Sequence, residues 1–238
     1  MDVVRAIFPL GLLVLLFSGS FAQEPTVVAP EAYKLQFENE WVRVLRVHYA
    51  AHQKIPVHNH SRFPAGYVYL NDAGPVNFVH TGWQDPILTR RPVKARMLRL
   101  SRTSAADETH SVDNISNTDT DFLRIEFRTM RQGESLAFGR YEPAIYDKKQ
   151  PFAKVHFDTA ELKATRVATP AGTDMTLKAD TVPALIALMT PGRFDGRDQP
   201  IGQTFWLSPG QSIKLTATPK LELEVFRFDI RVPPPKVQ

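Results

Sequence analysis

Residues 123–128 read Leu123-Arg124-Ile125-Glu126-Phe127-Arg128, and residues 226–231 read Phe226-Arg227-Phe228-Asp229-Ile230-Arg231. Class by class the two stretches coincide, 103 residues apart: apolar, arginine, apolar, acid, apolar, arginine. Alternation of apolar and polar residues is the period of a β-strand, whose side chains point to opposite faces in turn. Earlier in the chain an offset of 120 aligns Arg46-Val47 with Arg166-Val167, Ala51 with Ala171, Val57 with Leu177, Val68 with Leu188 and Tyr69 with Met189. Two matches in the same order predict an internal duplication, its second copy shorter in the middle. Trp41–Tyr49, Tyr67–Leu70, Val76–His80, Thr204–Leu207 and Leu221–Ile230 are likewise β-branched or aromatic runs, cut by Gly, Pro, Asn and Asp. This rhythm predicts an all-β chain of sandwich or barrel type. The expected division is one unit over residues 23–136, a connection over 137–154 carrying Pro143, Pro151 and Lys148-Lys149, and a second unit over 155–238.

Composition and charge narrow the setting. With 43% hydrophobic and 23% charged residues, the chain has the balance of a folded domain and not of a disordered one. Arg5 precedes an apolar run from Ile7 to Phe17, and Ser20-Phe21-Ala22 follows with small residues where a signal peptidase reads. The run is short of the about 20 apolar residues of a membrane span, so residues 1–22 are expected to be a cleaved secretory signal. The mature protein is then secreted or periplasmic, with no membrane partner after cleavage. The chain has no cysteine, which removes disulfides, thiolate metal sites and a cysteine nucleophile. The net charge is +4, and Arg90, Arg91, Lys94, Arg96, Arg99 and Arg102 follow one another with no acid among them. On a strand, Lys94, Arg96 and Arg102 would share one face, read first as a solvated surface and second as a patch for an anionic ligand. No aromatic residues interleave with these charges, so no nucleic-acid partner is expected.

The sharpest local feature is Pro56-Val57-His58-Asn59-His60. On a strand His58 and His60 project to one face, about 6.5 Å apart along the chain, within reach of one ion. A third histidine lies in Glu108-Thr109-His110-Ser111-Val112-Asp113-Asn114. The order His-x-His, some fifty residues, then His-x-x-x-Asn resembles the two motifs of the cupin superfamily, small β-barrels of jelly-roll type. The resemblance covers roughly residues 35–130 well and the duplicated remainder weakly, which implies a bicupin of two jelly-roll barrels. It implies His58, His60 and His110 as ligands of a divalent metal ion (Fe, Zn, Mn, Ni or Cu), with Asn114 as the motif's closing asparagine. Pro64 and Ala65 stand where the family has a glutamate, and Ala105 and Asp107 replace its proline and glycine. Glu108, two residues before His110, and His80, in step with Val76 and Phe78, are the candidates to complete the ligand set.

The remaining histidines, His48, His52 and His156, carry no pattern and are expected at the surface. The 120-residue offset sets Lys178 against His58 and Asp180 against His60, so the second barrel is expected to lack the metal and to serve as structural partner, binding surface or homodimer contact. Its Ser208-Pro209-Gly210 keeps a cupin-like Pro-Gly, Trp83 is expected to pack a loop, and Pro233-Pro234-Pro235 is expected to be extended. There is no Gly-x-Ser-x-Gly, no phosphate-cradling loop and no His-Glu-x-x-His. Two functions are therefore expected: binding of a divalent metal and/or a small ligand in the first barrel, or metal-dependent oxidoreductase (dioxygenase-like) or isomerase chemistry on three histidines.

Overall fold

The computed structural model describes residues 23–61, 63–101, 108–130 and 139–234. The apolar leader, Arg102, Ala105, Asp107 and Pro235 lie outside the described residues. After a single helical turn, α1 (Pro25–Val28), the first half runs β1 (Tyr33–Glu38), β2 (Val42–Tyr49), β3 (Lys54–His60), β4 (Ala65–Tyr69), β5 (Val76–His80), β6 (Ile87–Arg90), β7 (Leu98–Ser101), β8 (Glu108–Asp113), β9 (Thr120–Phe127) and β10 (Gly139–Tyr141). The second half runs β11 (Phe152–Asp158), β12 (Leu162–Thr169), β13 (Asp174–Lys178), β14 (Ala184–Leu188), β15 (Gly192–Phe194), β16 (Arg197–Gln199), β17 (Thr204–Leu207), β18 (Ser212–Ala217) and β19 (Leu223–Ile230).

The sheets repeat strand for strand. In the first half the orders are β1-β2-β9-β4-β7-β10 and β3-β8-β5-β6; in the second they are β11-β12-β19-β14-β17 and β13-β18-β15-β16. Adding ten to each label converts one half into the other, and only β10 has no counterpart. Each half is a jelly roll of two facing antiparallel sheets. Even an irregularity repeats: β1 bulges between Leu35 and Phe37 against β2, and β11 bulges between Val155 and Phe157 against β12, 120 residues later.

The quoted stretch sits in β9, which is buried almost along its length. Leu123, Ile125 and Phe127 face away from the first barrel, into a core shared with Leu162, Leu185, Phe226, Phe228 and Ile230 of the second half. Phe127 and Phe228 meet there with ring centroids 5.8 Å apart. At about 1.5–3 kcal/mol for each large apolar side chain buried, this shared layer fastens the two barrels together. Two arginines at equivalent positions add polar ties: Arg46 Nη1 donates to Ile201 O (3.0 Å), and Arg166 Nη2 donates to Arg96 O (2.7 Å). Phe122, on the opposite face of β9, enters the first barrel's own core with Tyr33, Tyr49, Tyr69 and Ile55.

Three expectations are corrected. The segment 137–154 is not only a connection, because Gly139–Tyr141 pairs with β7 and Phe152 already begins β11. Lys94 and Arg96 are not strand neighbours on a solvated face: both precede β7, and Arg96 has φ 66° and turns toward Glu222 and Glu224 of the second half (2.9 and 3.1 Å). His156 is not a surface residue; it is half-buried between Tyr141 and Phe226 and accepts a hydrogen bond from Arg166 Nε (3.1 Å).

Candidate metal centre

The centre lies on β3, β8 and β5, adjacent strands in that order. In β3 the register slips by one residue between Ile55, which pairs with Val112, and His58, which pairs with His110. Pro56 and Val57 are therefore both exposed in succession, and the strand resumes with His58 and His60 inward and Asn59 between them. Unbroken alternation from the buried Ile55 would have sent both histidines to the outside; one extra residue reverses the phase. Proline, which has no N–H to give to a ladder, is at home in such a bulge. Across the sheet His110 pairs with His58 on one side and with His80 on the other, while His60 pairs with Glu108. Ring centroids along this row are 4.9 Å (His58 to His110) and 5.2 Å (His110 to His80), the spacing of neighbouring strands.

The structure thus brings together His58, His60 and His110, each offering a ring nitrogen within 4.8 Å of the others, and sets His80, Glu108 and His110 in a second group by the same measure. All four imidazoles are buried. His58 Nδ1 donates to Pro56 O (2.8 Å), which leaves Nε2 as the lone pair facing the cluster, 3.1 Å from His60 Nε2. The Tyr33 hydroxyl, itself 2.6 Å from that of Tyr49, donates to the same nitrogen at 3.0 Å. His60 Nδ1, His80 Nδ1 and His110 Nε2 are buried without a hydrogen-bond partner. Glu108 Oε1 lies 3.3 Å from His80 Nε2 and 3.4 Å from His110 Nδ1, close enough to order both rings.

Electrostatics keep the rings of His58, His60 and His110 neutral. Burial pushes His58 down to about 4, His60 well below its ordinary value and His110 in the same direction; the Arg124 charge adds to the effect at all three. Burial works against ionisation of Glu108, but the hydrogen bond to His110 and the Arg124 guanidinium outweigh it and hold the carboxyl well below the usual range. Neutral imidazoles and one anionic carboxylate are the donors that a divalent transition metal takes.

Beside the cluster a cavity opens into the barrel. His60, His110 and Glu108 form part of its wall, Tyr67, Tyr69, Phe78 and Phe122 give aromatic faces, and Arg90, Arg99 and Arg124 supply charge. Arg124 is buried with Glu126, donating to it from Nε (2.9 Å), and donates from Nη1 to the Tyr67 hydroxyl (2.8 Å). The polar half of the β9 alternation therefore lines the barrel, not the solvent. Trp83 is 54% exposed and stacks on His80, centroids 3.9 Å apart. Asn114 is buried and ties the end of β8 to the carbonyls of Tyr49, Ala50 and Thr118.

No protein-family model and no curated protein matches the sequence. Solved structures do match the fold. Salicylate 1,2-dioxygenase from Pseudoaminobacter salicylatoxidans, solved with gentisate, is similar over 80% of this chain and 68% of its own, with 14% identity and a TM-score of 0.51. The protein YhaK from Escherichia coli is similar over 84% of this chain and 92% of its own, with 11% identity and a TM-score of 0.55. The chain has a bicupin fold. A cupin 2 conserved barrel domain protein from Leptotrichia buccalis is also similar, over 83% of this chain and 88% of its own, at 11% identity and a TM-score of 0.49.

The second barrel has no counterpart of the cluster among the described residues, and the bulge changes which residues correspond. β13 has no bulge: Leu177 pairs with Ile213 as His58 pairs with His110, and Ala179 stands where His60 does. Leu177, Ala179 and Ile213 are buried in an apolar core, whereas Lys178 and Asp180, aligned with the histidines by the uncorrected offset, are exposed and paired with each other. The same slip shifts the partner of Val68 from Leu188 to Ala187, as their pairing with Leu123 and Phe226 shows. The Arg124–Glu126 pair does recur, as Arg227 Nε donating to Asp229 (2.8 Å). Tyr33, Arg90, Arg99 and Arg124 are site residues that the sequence reading did not assign; the signal for Arg124 was its place opposite Leu123 and Ile125 on a strand.

Proposed function

We propose that the first barrel binds one divalent metal ion on His58, His60 and His110 and presents it to a small molecule in the adjoining cavity. The observation that carries this reading is the set of buried imidazole nitrogens without partners. An unpaired buried polar group costs about 1–3 kcal/mol, and within the triad His60 and His110 carry such nitrogens. Ligands about 2.1 Å from a shared ion lie about 3–4.2 Å from one another, so separations within 4.8 Å need only small ring rotations. A bound ion supplies Lewis acidity or redox capacity toward the occupant of the cavity. Pro56 O fixes the tautomer of His58, Glu108 orients His110 and His80, and the aromatic walls exclude water. Tyr33, which donates to His58 Nε2, is the hydroxyl that must re-aim when that lone pair is taken.

The test is the metal content of protein purified without a chelating tag, beside a His58→Ala/His60→Ala variant. About one equivalent in the first and none in the second supports the reading; no metal in either, after exposure to Fe, Zn, Mn, Ni and Cu, defeats it. Metal-dependent oxidoreductase activity is the second reading, favoured by the dioxygenase among the fold neighbours, and oxygen uptake by the loaded protein tests it. We also propose export to the periplasm or the medium on the strength of the Ile7–Phe17 run, tested by cell fractionation.

A further inference from the structure

Arg90 ends β6 and is only 8% exposed. Its Nη2 donates to Gly74 O (3.0 Å) and to Thr120 Oγ1 (3.1 Å), both neutral acceptors, and its guanidinium lies 5.3 Å from the centroid of Tyr69. Nη1 is buried with no hydrogen-bond partner, and among the described residues no carboxylate lies within ion-pair distance of Arg90. Buried guanidinium groups are ordinarily paired, because an uncompensated buried charge is costly. Arg124, the other deeply buried arginine of the cavity, has its acid in Glu126, and Glu108 is engaged with His80 and His110. Arg90 therefore stands on the cavity wall as a planar donor fork with one arm unused. The surfaces around it, Tyr69, Phe78 and Phe122, are aromatic.

We infer that the cavity takes a small organic anion, a carboxylate on a flat apolar body, with the carboxylate on Arg90 and the body between the aromatic walls. With Nη2 committed to Gly74 O and Thr120 Oγ1, the carboxylate is taken by Nη1, and a charge-assisted bond in a desolvated site is about twice as strong as a neutral one. The inference rests on the proposed use of the cavity as a ligand site, but not on the metal. It is therefore tested on metal-free protein, so that the two can fail separately.

Full-length protein stripped with a chelator is titrated calorimetrically with benzoate and, in parallel, with benzamide, which has nearly the same shape and no charge. Benzoate is expected to bind at least about tenfold more tightly than benzamide. Arg90→Gln is expected to abolish that preference, and Arg90→Lys, which keeps the charge and loses the planar donor, to retain part of it. Thermal melts establish that the variants are folded, and if they are not, the benzoate-to-benzamide ratio in the wild type decides alone. Equal binding of the two probes, no benzoate binding by the folded metal-free protein, or a preference that survives in folded Arg90→Gln overturns the inference.

Discussion

Lowering the pH from 7 to 5 should destabilise the metal-free protein through its buried histidines. Burial holds His58 at about 4 in the folded state, against about 6.5 when unfolded. Between these values the unfolded chain binds more protons than the folded one, so stability is full above about 6.5 and falls as the pH drops toward 4. For one such group the loss from pH 7 to pH 5 is about 2 kcal/mol. His60, held well below its ordinary value by burial, shifts stability with pH in the same direction. The His58 contribution alone is a sizeable part of a typical 5–15 kcal/mol total. Urea unfolding of chelator-treated protein at the two pH values measures the loss, and His58→Gln/His60→Gln should remove most of it while leaving a folded protein. Equal pH slopes in wild type and variant would refute the claim that these imidazoles are buried and neutral. Because burial holds His58, His60 and His110 below their ordinary value in the folded protein, protons compete less for them and native-state metal affinity should change little between pH 7 and 5.

The remaining expectations concern the supporting residues. Glu126→Ala leaves Arg124, 4% exposed, without its acid and should cost about 3–5 kcal/mol, read as a drop of about 6–20 °C in Tm, whereas Arg124→Met/Glu126→Leu together should recover most of that. Glu108→Gln, which weakens the hold on His110 and His80, should reduce metal affinity about 10–100-fold in equilibrium dialysis with little change in Tm. Deleting Val57, which is 47% exposed, should abolish the bulge yet keep His58 opposite His110, so metal binding should survive; its loss in a folded deletion variant would contradict the phase argument. Phe228→Ala should cost about 3–5 kcal/mol, and both halves should melt in one transition, since Phe228 belongs to the core they share.

The strands and the duplication were legible because alternation and repetition are local properties of the chain. Which face of a strand meets water is not local. Arg124 and Glu126 alternate with Leu123, Ile125 and Phe127 as a solvated face would, but β9 is covered on both sides, by a second sheet and by the barrel interior. The arginine-rich run misled for the same reason: Arg90 and Arg99 reach inward to the cavity, and their direction is set by strands far away in sequence. The His58, His60 and His110 group could be read from spacing, yet the bulge at Pro56-Val57 that turns the first two inward left no trace beyond the proline. That single extra residue also displaced the comparison of the two copies, so that Lys178 and Asp180 stood in for Leu177 and Ala179. His80 and Glu108 were in view from period two alone, and the pairing of His110 with His80 gives them their place beside the triad.

X-ray absorption at the edge of the metal carried by the purified protein is the most direct test of the account. It predicts a first shell containing about three imidazole nitrogens near 2.0–2.2 Å, with the outer-shell scattering of histidine rings, and the loss of that pattern in His110→Ala. A shell of oxygen atoms alone, or a histidine pattern unchanged by removing His110, would contradict it.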